Sequence, residues 1–103
     1  MAKERQTRPG TLEQACGRVI AQLREERGLS QMDLAVAAGY SLRYIGDVER
    51  GAKSPTLRTM NDLATLLNLR LGDLISRAER LLSYRDKESR TKGQVSKHAD
   101  KAR

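Results

Sequence analysis

Apolar residues recur every three or four positions in five separate stretches of this sequence, a spacing typical of amphipathic α-helices. No stretch alternates apolar with polar residues for long enough to predict a β-strand. The pattern predicts five helices, over residues 12–27, 31–38, 42–50, 57–67 and about 71–84. The fourth helix should turn one apolar face inward, made of Leu57, Met60, Leu63, Ala64 and Leu67. An all-α fold with a single small core follows.

Residues that favour helix ends bracket these stretches. Thr11, Ser30 and Ser41 precede the first three helices, where a hydroxyl oxygen accepts from an unpaired backbone N–H. Gln14 completes a capping box with Thr11, in which each side chain bonds the other residue's backbone N–H. Three glycines follow the same helices and suit the left-handed conformation of a helix C-terminus: Gly28, Gly39 and Gly51.

The second and third helices are joined by a very tight turn at Gly39 and Tyr40. Helices linked so closely must cross at a steep angle, and Ala35 supplies the small side chain that a close crossing needs. The third helix can then project beyond the body of the protein. A helix presented in this way fits the DNA major groove, which is about 12 Å wide.

The run GLSQMDLAVAAGYSLRYIGDVERG, residues 28–51, resembles the Cro/CI-type, lambda-repressor-like helix-turn-helix family of phage repressors and bacterial regulators. The continuation SPTLRTMNDLATLLNL, residues 54–69, is similar to the fourth helix of that family. The resemblance covers residues 12–84. It implies a compact five-helix domain that binds specific sequences in double-stranded DNA.

The resemblance also implies roles for individual residues. The positions that face base edges are Ser41, Leu42, Arg43 and Asp47, with Tyr44 beside them. The positions expected to meet phosphates, by resemblance or by charge, are Gln31, Arg50, Lys53, Ser54 and Arg58. Arg24 late in the first helix should pair with Glu49 at the end of the third and hold the two helices together.

Side-chain chemistry supports some of these roles and leaves others open. Arg43 can donate two hydrogen bonds to guanine, which is worth about 1–3 kcal/mol of discrimination, and Leu42 can contact a thymine methyl. Asp47 has two interpretations: it accepts from cytosine, or it orients Arg43 and Arg50, four residues before it and three after it. Gly46 also has two, since it either lets DNA approach closely or is a tolerated weakness in the helix.

The formal net charge of +7 suits a polyanionic partner. Most of the excess lies outside the central helices, so the chain divides into a flexible N-terminal arm (1–10), the DNA-binding domain (11–84) and a basic, disordered tail (85–103). No apolar run is long enough for a membrane span. The single cysteine, Cys16, lies on an apolar stripe and suits a reduced cytoplasm, near the nucleoid.

We expect neither an enzyme nor a cofactor. His98 is the only histidine and has no second ligand at metal-binding spacing, and no phosphate-binding glycine loop is present. The sequence therefore predicts a binding protein with no metal.

The expected partner is a pseudo-palindromic operator in double-stranded DNA, bound by a homodimer that represses transcription. The apolar side of the fifth helix is the candidate dimer surface, unless it only closes the core: Leu74, Ile75, Ala78, Leu81 and Leu82. The resemblance also extends to controller proteins of restriction-modification systems. An alternative is an antitoxin whose tail binds a toxin protein, although the tail has few apolar residues.

Overall fold

The computed structural model describes residues 9–90, and the side chains of residues 9–82. Five helices form this part of the chain: α1 (Leu12–Glu26), α2 (Gln31–Ala38), α3 (Leu42–Arg50), α4 (Leu57–Leu66) and α5 (Leu71–Arg90). The prediction of an all-α, five-helix fold is confirmed. All five helices begin where the sequence pattern places them.

Local hydrogen bonds set the starts of the helices. The Ser30 hydroxyl accepts from the Asp33 N–H at 2.9 Å, and the Asp33 carboxylate accepts from the Ser30 N–H at 2.8 Å, which is a complete capping box. The Ser41 hydroxyl accepts from the Tyr44 N–H at 3.0 Å. Thr56 caps α4 in the same way.

The capping box predicted for α1 is only half formed. The Thr11 hydroxyl accepts from the Gln14 N–H at 3.0 Å, but the Gln14 side-chain oxygen accepts from the N–H of Gly10 at 2.8 Å. The reciprocal bond has therefore moved one residue towards the N-terminus. Gln14 still satisfies a free donor ahead of the helix, as the chain enters it.

The core forms because each helix turns one apolar face towards its neighbours. Helix α1 packs on α3 and α5, α2 packs on α3 and α4, and α4 packs on α5. The largest fully buried side chains are Ile20, Leu34, Ile45, Val48, Leu63, Leu67 and Leu74. Helix α3 is thus held from two sides, by α1 and by α2.

The prediction that Leu57 lies on the inner face of α4 is wrong. Its side chain is 73% exposed, whereas Met60, Leu63, Ala64 and Leu67 are buried. Leu57 is the first residue of α4 and lies at the rim of an open apolar groove of about 140 Å³, which Leu12 and Ile75 also line. The rim position leaves it in contact with solvent.

The structure also corrects the candidate dimer surface on α5. Leu74 and Ala78 are fully buried in the core of the monomer, so neither can contact a second copy. They are one helical turn apart and form the strip of α5 that faces its neighbours. Ile75, Leu81 and Leu82 are only partly buried.

Helix α5 ends at Arg90, six residues beyond the predicted end at Tyr84. The predicted disordered tail is therefore wrong for residues 85–90. Arg, Lys and Glu predominate there, and these residues have high helix propensity even without an apolar stripe. Residues 91–103 lie outside the described part of the chain, as do residues 1–8 of the predicted N-terminal arm.

Candidate DNA interface

The N-terminal edge of α3 is exposed although the helix itself is anchored. Ile45 and Val48 bury the inner side of α3 in the core, while Leu42 is 43% exposed and Arg43 is exposed on the outer side. Among the residues that the structure describes, Arg43 has no hydrogen-bond or ion-pair partner. A flexible cation and an apolar side chain are thus free to meet a ligand along this edge.

The turn between α2 and α3 has the predicted geometry. Gly39 adopts a left-handed φ of 78°, which few residues other than glycine tolerate. The N–H groups of Gly39 and Tyr40 both donate to the carbonyl of Ala35, at 2.9 and 3.0 Å. Ala35 is buried, and its small side chain suits the close approach of the two helices.

Tyr44 is less available than its predicted role beside the bases suggests. Its ring is half-buried and lies against the ring of Tyr40, with the two centroids 5.1 Å apart. The Tyr40 hydroxyl shares a 3.0 Å hydrogen bond with the hydroxyl of Thr59 on α4. The two rings therefore brace the start of α3 against α4.

Gly17 on α1 is a structural residue that sequence reasoning missed. A Cβ atom built on Gly17 would lie 2.3 Å from the carbonyl oxygen of Val48 and 2.5 Å from that of Glu49. The backbones of α1 and α3 meet here without an intervening side chain. The signal was available, because glycine in a helix interior is costly and usually has a packing reason.

An ion pair holds the end of α3 against α1, as the family resemblance implied. Arg24 donates from Nε to Glu49 Oε2 at 2.7 Å and from Nη2 to Glu49 Oε1 at 3.1 Å. The two side chains are only 10% and 6% exposed. The third Arg24 donor, Nη1, reaches the carbonyl of Leu29 at 2.8 Å, in the loop that leads into α2.

The ion pair shifts the pKa of Arg24 in the direction that favours its charged form. The hydrogen bonds that Arg24 donates to the Glu49 carboxylate raise the pKa of Arg24, against the opposing effect of burial. Arg24 carries its charge in this pair, as arginine does throughout proteins. One guanidinium thus connects α1, the α1–α2 loop and α3.

Gln31 belongs to the same network. Its side-chain amide donates to Glu49 Oε1 at 2.9 Å, so the start of α2 is tied to the end of α3. The sequence predicted Gln31 only as a phosphate ligand. The second amide hydrogen of Gln31 has no protein partner among the described residues, and it is the donor that a phosphate could use.

Asp47 contacts cations on its own side of α3. Its carboxylate accepts from the Arg50 guanidinium and lies 3.9 Å from Nζ of Lys53. The Asp47 side chain is 14% exposed, and no bond to Arg43 is formed. Of the two interpretations of Asp47, the geometry favours the one in which it orients cations, with Lys53 in place of Arg43.

Of the remaining predicted phosphate ligands, Lys53 and Ser54 lie in the loop after α3 and Arg58 lies on α4. Lys53 is exposed in the loop after α3, and Arg58 is exposed near the start of α4. The Ser54 hydroxyl donates to a Glu13 carboxylate oxygen at 3.2 Å, which ties the loop to α1. The structure thus brings Lys53 and Arg50 together through Asp47 and leaves Arg58 on a neighbouring helix.

Residues 15–78 match the model of a family described as a helix-turn-helix domain. The chain belongs to the helix-turn-helix domain family. The match includes α2, the turn at Gly39 and α3, whose geometry is described above. The family predicted from the sequence is therefore confirmed.

Two curated proteins with regulatory names resemble this helix-turn-helix chain. The HTH-type transcriptional regulator DdrOP3 of Deinococcus deserti is 40% identical over 60 residues, which cover 58% of this chain and 46% of that protein. The immunity repressor protein of Bacillus phage phi105 is 31% identical over 78 residues, covering 72% of this chain and 54% of the repressor. This chain thus spans about half the length of each.

Among solved structures, the restriction-modification controller protein C.AhdI of Aeromonas hydrophila is 36% identical, with a TM-score of 0.57. The superposition covers 59% of this chain and 92% of the controller.

Within the part of the chain that the structure describes, no helix combines the length and the apolar character that a membrane span requires.

Proposed function

We propose that this helix-turn-helix protein is a transcriptional regulator that binds a specific double-stranded DNA sequence, as a homodimer and as a repressor, at the bacterial nucleoid. The observation that carries the proposal is the exposed edge of α3. Leu42 and Arg43 point outward from a helix whose opposite side is fixed by the core and by the Arg24–Glu49 pair. A rigid support and a free recognition edge are what base readout requires.

Contacts to the DNA backbone would orient this edge in the groove. Arg50 and Lys53 lie at the end of α3 and in the following loop, and the Gln31 amide lies at the start of α2. These groups would meet phosphates of the DNA backbone beside the recognition edge. Such contacts set register and affinity, whereas Arg43 and Leu42 would set sequence preference.

Dimerisation would use the partly buried apolar residues of α5. Ile75, Leu81 and Leu82 retain exposed apolar surface, and Leu57 lines the same groove as Ile75. A single small domain buries only about 600–1,000 Å² on DNA, so two copies on a pseudo-palindrome would strengthen binding. Repression is supported by the similarity to a phage immunity repressor.

A second candidate function is that of a controller protein that activates as well as represses. The similarity to the restriction-modification controller C.AhdI favours it. A transcription assay on an operator-bearing template separates the two. A repressor lowers transcript yield at every concentration, whereas a controller raises it at low occupancy before lowering it.

The test of the proposed function is selection of bound duplexes from random DNA, followed by a salt titration of the best one. We expect two related half-sites and a steep fall in affinity with salt, with a slope of about −0.9 for each phosphate contacted. Arg43→Ala should relax the preference at one base position in each half-site. Lys53→Ala should weaken all sequences about equally.

Arg77→Ala is the matched control for both variants. It removes the same charge from an exposed position on α5, a helix that packs on α1 and α4. Its affinity should stay close to that of the wild type. Failure of the wild type to enrich any sequence would refute the proposed function, and an unchanged base preference in Arg43→Ala would refute the assignment of the reading edge.

A further inference from the structure

Gly46 lies in the middle of the recognition helix without a conformational reason. The glycines with a positive φ are Gly28, Gly39 and Gly51, and Gly46 has the ordinary backbone of α3. Alanine would stabilise an α-helix at such a position. Backbone conformation does not account for this glycine, which leaves the space that a side chain would occupy.

The guanidinium of Arg50 lies against that space. A Cβ atom built on Gly46 would lie 3.2 Å from Nη1 of Arg50 and 3.9 Å from the side-chain oxygen of Gln31. Side chains on a helix lean towards its N-terminus, so Arg50 covers the residue one turn before it. Gly46 is buried for this reason, although it lies on the outer part of α3.

Asp47 fixes the other side of the same guanidinium. Its carboxylate accepts from Nη2 of Arg50, while the Arg50 side chain as a whole remains 65% exposed. The guanidinium therefore has a backbone surface beneath it, a carboxylate beside it and solvent in front. An arginine held in this way loses less conformational freedom when it binds an anion than a free one does.

We propose that Gly46 is a positioning residue, whose missing side chain forms the seat that holds the Arg50 guanidinium for a DNA backbone phosphate. The inference rests on the proposed function and adds a determinant of affinity that does not itself contact DNA. The Gln31 amide, which borders the same space, would meet the same stretch of backbone. A methyl group at position 46 displaces the arginine by a few tenths of an ångström and loosens its hold.

The experiment is a double-mutant cycle on the selected operator with Gly46→Ala, Arg50→Ala and the double variant. We expect Gly46→Ala and Arg50→Ala each to weaken binding, the second by about tenfold, the loss of one charge-assisted contact. In the Arg50→Ala background, Gly46→Ala should change affinity by less than about twofold, since a seat without an occupant has no effect. The magnitude of the salt slope should fall by about 0.9 in Arg50→Ala, and by less in Gly46→Ala, which retains the arginine.

Thermal unfolding distinguishes a lost seat from a damaged fold. The melting temperature of Gly46→Ala should equal or exceed that of the wild type, since alanine favours the helix and the displaced group is the end of a flexible side chain. Gly72→Ala is the matched control. Its Cβ would meet nothing within 4 Å, at the start of α5, so it should leave DNA affinity unchanged.

Two outcomes would overturn the inference. One is wild-type affinity in Gly46→Ala, which would leave the seat without a role. The other is an equal loss in the presence and absence of Arg50, which would mean that the glycine admits DNA directly. Should Gly46→Ala fail to fold, Asp47→Asn takes its place in the same cycle, because it removes the other support of Arg50. A wild type that binds no selected duplex would instead refute the proposed function.

Discussion

The Arg24 side chain contacts several parts of the fold at once. Its three donor nitrogens bind the Glu49 carboxylate and the Leu29 carbonyl, and Glu49 in turn accepts from Gln31. The ion pair is nearly buried, so each charge depends on the other for the interactions that water would otherwise supply. The orientation of the recognition helix therefore depends on a contact far from its exposed edge.

Arg24→Ala should weaken folding and DNA binding together. It leaves the Glu49 carboxylate buried with only the Gln31 amide as a donor, which we expect to cost about 3–5 kcal/mol in the free energy of unfolding. Urea denaturation measures the loss, and operator titration at low temperature measures the affinity of the molecules that remain folded. The exposed Arg77→Ala provides the comparison for charge alone. Unchanged stability in Arg24→Ala would contradict the structural role.

Asp33 is the residue whose ionisation should be visible at acid pH. The hydrogen bonds from the Ser30 N–H and hydroxyl lower its pKa in the folded protein. The pKa of Asp33 in the folded protein therefore lies below the ordinary value of about 3.9. Between the folded and unfolded pKa values, the unfolded chain binds more protons than the folded protein does. The contribution of the capping box to folding stability is complete above the pKa of Asp33 in the unfolded chain. It is lost as the pH falls through the pKa of Asp33 in the folded protein.

Carboxyl NMR titration should accordingly place the pKa of Asp33 below about 3.9. The pH dependence of the melting temperature below about pH 5 should be shallower in Asp33→Asn, which retains an acceptor oxygen but does not titrate. A measured pKa at or above the ordinary value would show that the capping box does not persist in solution.

At the scale of the helices, the arrangement depends on how closely α1 and α3 approach. Gly17 allows backbone contact with Val48 and Glu49, and a Cβ atom on Gly51 would similarly lie 2.6 Å from Cα of Gln14. Both contacts hold the C-terminal end of α3 against α1. The N-terminal end of α3 is supported differently, by the turn at Gly39 and by the two tyrosine rings.

Gly17→Ala should destabilise the protein although alanine is the better helix former. The added methyl group would overlap carbonyl groups of α3, which cannot rotate away as a side chain can. Overpacking of this kind typically costs about 1–3 kcal/mol, more than the gain in helix propensity. Thermal unfolding alongside Gly72→Ala, which gains the propensity without the clash, isolates the effect. Equal melting temperatures in the two variants would contradict the close crossing.

At the scale of the whole molecule, the apolar surface left outside the core bears on assembly. Leu57 and Val36 are both 73% exposed, but only Leu57 borders the groove that Ile75 lines on α5. Substitutions at Leu57 and Val36 therefore separate the effect of the groove from the effect of any exposed apolar side chain. If α5 and the groove form the dimer contact, a charge at Leu57 should oppose association and a charge at Val36 should not.

Leu57→Glu should shift the mass measured by analytical ultracentrifugation from dimer towards monomer at micromolar concentration. Val36→Glu should retain the wild-type mass, and both variants should keep their melting temperature at low protein concentration because neither side chain is in the core. A wild type that is monomeric while it saturates a two-half-site operator would contradict dimerisation through this surface.

Local chemistry was sufficient to predict where the five helices begin and where α2 and α3 end, although not where α5 ends. Ser30, Gly39, Ser41 and Gly51 act on backbone groups within a few residues of themselves, so their effects are legible in the sequence. The bounds of α2 and α3 follow from these capping residues. They also place Leu42 at the first position of α3, at its exposed edge. The pairing of Arg24 with Glu49 was predicted only because the family resemblance supplied it, since 25 residues separate the two.

Other features depend on which segments meet in space. The contact of Gly17 with α3, the bond from Gln31 to Glu49 and the seat of Arg50 on Gly46 all depend on how close two backbones or side chains come. A periodic pattern marks an apolar face but not what covers it, so it could not place Leu74 in the core and Leu57 in solvent. The sequence alone determined where the helices lie and which polar and apolar residues are candidates for binding a partner. Packing distances in the tertiary structure decided which of these side chains are fixed by other residues and which remain exposed.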